Sequence, residues 1–285
     1  MKLEILVWDV NHGNSTSIKL PNGKVIMIDC SSNPETGFSP VFATKRLWNV
    51  NRLDYLIISH PHMDHIRDFI NMDQLDPRVF YRPRIIDHNE LLKGKTRNDL
   101  DVVEKYIEYD KRYVEPLTPN EIPTSSSWSG DVTIHNFRLN GEQSDFNNYS
   151  SVTFLSYGSF HFAYGADLSS DGWNNLIDQE GTKFTDRLAK VNFFEASHHG
   201  RKEGFNTKIF DYMMNPKLTI VSDKQEQDTS VSDRYYKYCK GWDIYNQNTD
   251  QWDNGRRVVT TRSDGRIKIE VEPGNGTTEV GVYVR

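Results

Sequence analysis

Short apolar runs separated by polar turns open the chain: Ile5 to Val10, Thr16 to Pro21 and Val25 to Cys30. Asn11-His12-Gly13-Asn14 and Pro21-Asn22-Gly23 break them, the second as a hairpin-type turn, so the pattern predicts a β-meander. Residues 41–52 have helical period, with Phe42, Leu47 and Trp48 on the face expected to pack inward. Leu53 to Ser59 predicts a buried strand, 66–75 a helix, 78–83 a short strand and 88–112 a charged helix. Residues 117–130 are rich in Pro and Ser and predict a loop rather than a domain boundary, because strand patterns resume at once.

The opening theme then repeats. Residues 132–139, 150–158 and 160–167 predict three consecutive strands, and 171–189 a helix. Val191 to Ser197 and Lys217 to Asp223 read as further strands, 235–241 closes a short helix, and 257–285 predicts a hairpin-like tail. Two β-rich halves, each followed by helices, predict an α/β (α+β) architecture: two mixed β-sheets face to face with helices outside, in a single domain over residues 1–285.

Composition narrows the class. At 285 residues and a mean hydropathy of -0.69, no apolar stretch approaches the roughly 20 residues of a membrane span. Met1 to Glu4 lead straight into a strand, which predicts no secretory leader. Two cysteines, Cys30 and Cys239, are too few for a disulfide framework and predict core residues in a reducing, cytoplasmic setting. A net charge of -6 argues against a broad basic surface for nucleic acid. It leaves phosphate substrates open, because bound divalent cations invert the local potential.

Three strand ends carry the chemistry. His60, His62, Asp64 and His65 follow the first, Asp167 follows the second, and His198 and His199 follow the third. Imidazole and carboxylate are ligands that zinc and manganese accept. The first cluster gives four donors, a bridging Asp167 a fifth, and one of His198 or His199 a sixth. Six donors plus solvent suffice for two divalent ions, zinc or manganese. Two such ions about 3.5–4 Å apart bring a shared water's pKa toward roughly 7, which makes a hydroxide nucleophile. Asp64 and Asp167 are the expected catalytic residues orienting it, and Asp9 or Asp29 either hold imidazoles or cap turns.

At these residues the chain resembles the metallo-β-lactamase-fold hydrolases, and within them the metallo-hydrolase domain of ComEC-type competence DNA-uptake proteins. The resemblance rests on the HxHxDH motif at 60–65, on Gly165-Ala166-Asp167 and on His198-His199-Gly200. It extends to Asp9-Val10-Asn11-His12-Gly13-Asn14-Ser15, to Leu20-Pro21-Asn22-Gly23-Lys24 with Ile26-Met27-Ile28-Asp29, and to Asn147-Asn148-Tyr149-Ser150-Ser151-Val152. It implies a four-layer αββα sandwich with a binuclear site acting on DNA. The chain departs from it at Ile66-Arg67-Asp68, where a Gly pair is usual and where a charge is expected near the rim. It also lacks the family's third histidine; Asn147 or Asn148 stands nearest that role, while His88, His135 and His161 read as structural or surface residues. His12 replaces a glutamine and is expected to meet metal, water or substrate.

Arg67, Arg201, Lys202 and Lys224 lie close in sequence to the ligand turns or the bordering strand, which favours a phosphate-bearing substrate. The expected function is therefore metal-dependent hydrolysis of phosphodiester bonds, with His12, Asn147, Asn148, Arg201, Lys202 and Lys224 binding a nucleic acid or small phosphodiester. Two alternatives stand beside it: hydrolysis of a small ester, lactone, amide or thioester, and a partner-activated effector of low basal activity. A protein partner enters only in the last, for which Trp242, Tyr245 and Trp252 are candidate contacts. No membrane is expected to take part.

Overall fold

A computed structural model describes residues 2–224, 230–274 and 278–285. Its strands in chain order are β1 (Leu3–Val7), β2 (Thr16–Lys19), β3 (Val25–Ile28), β4 (Tyr55–Ile57), β5 (Val79–Tyr81), β6 (Val132–Phe137), β7 (Val152–Tyr157) and β8 (Phe160–Tyr164). The remainder are β9 (Phe193–Glu195), β10 (Leu218–Val221), β11 (Trp242–Asn246), β12 (Gln251–Arg256), β13 (Val258–Thr260), β14 (Ile267–Pro273) and β15 (Thr278–Val284). They form a nine-stranded sheet, β12-β11-β15-β14-β1-β2-β3-β4-β5, and a six-stranded sheet, β13-β10-β9-β8-β7-β6. Both sheets are mixed, as the sequence pattern predicts.

The two halves share one pairing order. β1-β2 and β2-β3 are antiparallel, β3-β4 and β4-β5 parallel. The second half repeats it: β6-β7 and β7-β8 antiparallel, β8-β9 and β9-β10 parallel. One apolar cluster takes Ile5, Ile18, Ile26 and Ile57 from the first sheet and Ile134, Leu155, Phe162 and Ile220 from the second, so the sheets face each other across it. Separate clusters lie on the outer faces, where Trp173 and Phe184 cover one sheet and Phe69 and Tyr106 the other. In parallel segments the carboxyl ends of neighbouring strands share one rim, which is where open α/β sheets carry ligands. Here that rim holds the loops after β3, β4, β8 and β9.

Several local expectations change. The first helix is Pro40–Trp48, and it buries Pro40, Val41 and Thr44. Phe42 and Leu47 are exposed instead, because Ser39 caps the helix and the buried Asp68 carboxylate accepts from the Val41 amide, which sets that face inward. Asp68 is therefore not a rim charge; it also accepts from Ser39 and Asn71. Residues 66–75 are a short α-turn, Met63–Ile66, running into a 3₁₀ segment, Arg67–Leu75. The 171–189 helix is two, Ser170–Glu180 and Thr182–Leu188, broken where Gly181 takes a φ of 55°. β11 and β12 went unread because Gln251–Arg256 has no buried face to show period two. Part of the 257–285 tail, residues 275–277, lies outside the described residues. No helix among the described residues is long and apolar enough to cross a membrane.

Candidate metal centre

Donor atoms of Asp64, His65, Asp167 and His199 all lie within 4.8 Å of one another. Three of the four residues are buried and Asp64 is half-buried. His65 Nε2 faces Asp167 Oδ1 at 3.2 Å, and His199 Nε2 faces Asp64 Oδ2 at 3.2 Å and Asp167 Oδ2 at 3.7 Å. The far nitrogens of both imidazoles are anchored. His65 Nδ1 donates to Asp29 Oδ2 at 2.6 Å, and His199 Nδ1 donates to the Ser222 carbonyl at 2.9 Å. Each tautomer is thereby fixed with Nε2 aimed inward, the arrangement metal-ligating histidines need.

Asp29 is the keystone of this arrangement. It is fully buried at a φ of 53° and accepts from the Ser59 amide and hydroxyl at 2.7 Å each, and from the Tyr164 hydroxyl. It thus acts as a second-row partner of the imidazole, whereas Asp9 accepts from the Asn11 amide as a turn cap.

A second donor pair adjoins the first. His60 Nε2 and His62 Nδ1 approach to 2.9 Å, while His60 Nδ1 lies 3.3 and 3.2 Å from the hydroxyls of Ser59 and Ser150. Ser150 also accepts from the Asp167 amide at 3.2 Å, so it links the two groups. The opposite side of His62 is covered by Phe146, stacked with ring centroids 4.5 Å apart.

His198 and His199 part company. Both sit at positive φ, 52° and 54°, and the amide of His198 donates to the Ala166 carbonyl. Only His199 joins the four-residue group; His198 Nδ1 is buried without a hydrogen-bond partner among the described residues.

The charges show what the group lacks. Burial alone would raise the Asp167 carboxyl, but the neighbouring His65 and His199 hold it far below the ordinary carboxylate range. Against the same burial, bonds to His12 and His199 hold Asp64 well below it. Burial would lower His65, yet Asp167 and Asp29 lift it well above its usual value. His199 is raised against burial in the same way, by Asp167 and Asp64. The acids demand positive charge, and protons on these imidazoles supply it when no cation does. His65 Nε2 and Asp167 Oδ1 nevertheless remain buried without hydrogen-bond partners. An imidazole nitrogen and a carboxylate oxygen, both able to offer a lone pair and 3.2 Å apart without a hydrogen bond between them, fit a divalent cation.

The other expected residues divide. His12 Nε2 lies 3.2 Å from Asp64 Oδ2, and Arg201 Nη2 lies 3.4 Å from His12 Nδ1, so both stand at the mouth of the site. Asn148 does not: its Oδ1 accepts from the Ser169 amide and hydroxyl, tying the loop after β8 to the 3₁₀ turn Phe146–Tyr149. Asn147 lies within that turn, its amide donating to the Asp145 carboxylate that caps it and its carbonyl accepting from the Ser150 amide. Lys202 pairs with Glu203, and Lys224 with Glu35. Sequence reading passed over Tyr164, Ser222 and Phe146. Ser150 was inside a quoted motif without being singled out.

Gly13 explains why this loop sits so close. Its φ is 151°, and a Cβ there would meet the Ser31 hydroxyl and, at 2.6 Å, the Asp64 carbonyl. Gly13→Ala is expected to destabilise the fold by about 1–3 kcal/mol, read by urea unfolding.

Below the centre, Glu195 ends β9 fully enclosed, accepting from Thr16 Oγ1 at 3.1 Å; burial pushes its carboxyl up to about 8. The folded chain therefore keeps this proton to higher pH than the unfolded chain, and stability falls between about pH 4.5 and 8. Glu195→Gln in metal-free protein is expected to abolish roughly 2–4 kcal/mol of that fall, measured by unfolding across this range.

Layered sheets thus bring His and Asp donors together at a shared rim as a candidate metal centre. Residues 8–120 match the family model of the Metallo-beta-lactamase superfamily. The superfamily normally uses divalent metal ions. No curated protein matches. Among solved structures, the chain is similar to the metallo-beta-lactamase fold protein YhfI from Bacillus subtilis, at 13% identity over 99% of this chain and 100% of that one, with a TM-score of 0.47. It is also similar to a diphosphatase of the PhnP family (13% identity, 77% and 86% covered, TM-score 0.40). A third is the dizinc quorum-quenching lactonase AidC (14% identity, 64% and 71% covered, TM-score 0.39).

Proposed function

We propose that this chain is a metal-dependent phosphodiesterase acting on a nucleic acid or a small phosphodiester. The carrying observation is the inward convergence of Asp64, His65, Asp167 and His199 beneath a mouth formed by His12 and Arg201. These four residues would hold one cation; His60 and His62, with Asp167 shared, would hold a second. Divalent cations bound there supply an ionised water at neutral pH and neutralise charge on a phosphoryl oxygen.

The chain's own residues do the remainder. Asp29 and the Ser222 carbonyl hold the Nδ1 edges of the two imidazoles and so keep Nε2 pointed inward, where a cation would take the place of its proton. The Asp64 and Asp167 carboxylates stay ionised and accept from the attacking water. Arg201 carries a fixed positive charge that pairs with a non-bridging phosphate oxygen, a role guanidinium suits better than ammonium. The resemblance to the competence-protein domain points to DNA as the first polymer to try. Zinc and manganese both suit this donor set.

One feature favours the partner-activated reading as second choice: the His60–His62 pair is stacked against the Phe146 ring rather than against a further imidazole. The deciding assay incubates metal-reconstituted protein with plasmid, single-stranded DNA, RNA and bis-p-nitrophenyl phosphate, beside a lactone and nitrocefin. Cleavage of phosphodiesters supports the proposal; turnover of the carbonyl substrates alone rejects it. No turnover with metal bound favours the partner-activated reading.

A further inference from the structure

A second polar cavity lies on the outer face of the six-stranded sheet, at the opposite ends of the strands from the metal centre. Asp167 and His199 follow β8 and β9, whereas this cavity is lined by His161 at the start of β8 and Val191 just before β9. Pairing register sets its floor: Thr133, Ser156 and His161 form one row across β6, β7 and β8, and His135 and Phe154 stand in the next. The helix Thr182–Leu188 packs Phe184 on Phe154 and Phe137, and it brings Arg187, with Lys190 beyond its end, to the wall. The cavity measures about 160 Å³. That is below the roughly 300–1,000 Å³ of sites for drug-sized ligands, so it suits a compact guest.

Its charge is one-sided. His135, His161, Arg187 and Lys190 line it, and no carboxylate does. Burial and the Arg187 charge hold His135 below its usual value, while burial and Lys190 do the same to His161, so each imidazole feels one of the two cations. The acid acting on Arg187 is the adjacent, exposed Asp186, which does not line the cavity. Arg187 Nε is buried without a hydrogen-bond partner among the described residues. His161 Nδ1 is engaged with the Ser156 hydroxyl at 2.7 Å, which leaves Nε2 to a guest. Two cations, Arg187 with an unmet donor and Lys190, beside two imidazoles that can donate, cost free energy until an anion joins them.

We propose that His135, His161, Arg187 and Lys190 form a binding site for a phosphate group, either free inorganic phosphate or the terminal phosphate of a small phosphorylated molecule. Arg187 offers a guanidinium edge, Lys190 a second charge, and Ser156 and Thr133 hydroxyls complete the shell. The site is independent of the metal centre's function.

The test titrates metal-loaded protein with inorganic phosphate, and separately with adenosine 5′-monophosphate, following the ring-proton NMR signals of His135 and His161. Saturable shifts are expected, with affinity at least about tenfold weaker in Arg187→Gln, the change one charge-assisted hydrogen bond makes. Should that variant not fold, Lys190→Gln at an exposed position reads the same loss. Saturation with phosphate alone identifies the free ion as guest, and tighter saturation with the nucleotide identifies a phosphorylated molecule; both uphold the site. Identical shifts in sodium chloride of equal ionic strength, no saturation, or unchanged affinity in the folded variants would overturn it.

Discussion

Asp167→Ala is expected to abolish hydrolysis, with a loss beyond the roughly 10–100-fold that outer partners of a metal site cost when removed. The reason is its double engagement: one carboxylate oxygen faces His65 Nε2 and the other His199 Nε2, so one side chain serves both buried imidazoles. Its amide is held by Ser150, so removing the carboxylate leaves the loop in place and takes away only the charge. The variant should fold, bind less metal and fail on every phosphodiester that the parent cleaves. Activity within tenfold of the parent would mean that the bridging acid has been misidentified.

Asp29→Asn is expected to lower metal affinity by roughly 10–100-fold without touching a proposed ligand. The carboxylate accepts four hydrogen bonds, from the Ser59 amide, the Ser59 hydroxyl, Tyr164 and His65. An amide keeps one acceptor oxygen but places an N–H₂ against donors, so His65 loses the partner that fixes its tautomer. The unmet groups should also cost about 1–3 kcal/mol of stability in the metal-free protein. Competition against a chelator reads the first effect and urea unfolding the second. Unchanged metal affinity alongside reduced stability would leave Asp29 a purely architectural residue.

The metal-capable residues were legible because their signal is local. His60 to His65 are six adjacent positions after an apolar run, and Asp167 and His199 follow runs of the same kind. The repeated strand-and-helix theme likewise announced two halves, and the shared pairing order shows why their strand ends meet. What stayed hidden depends on direction. His198 and His199 are neighbours of identical type, and of the two left-handed backbone positions only the second turns its side chain toward Asp64. The partners of Lys202 and Lys224, Glu203 and Glu35, are likewise set by side-chain direction rather than by sequence pattern. Asn148 looked like a replacement donor, whereas the neighbouring Ser150 is the residue that touches His60 and the Asp167 amide. Tyr164 ends an ordinary apolar strand, and nothing in its flanks announces a hydroxyl aimed at Asp29.

The tail aromatics illustrate the same limit. Trp242 packs against the inter-sheet core, while Trp252 on β12 is 59% exposed and Tyr245 lies beside it. One strand pair thus holds both outcomes, core filler and surface ring, for residues that composition treats alike.

Elemental analysis of the protein as purified, by inductively coupled plasma mass spectrometry beside His199→Ala, tests the central claim most directly. The account predicts a transition metal at one to two equivalents per chain in the parent and a clear deficit in the variant. A parent without bound metal that also takes up none from excess zinc or manganese would contradict it, as would a variant that retains the full complement.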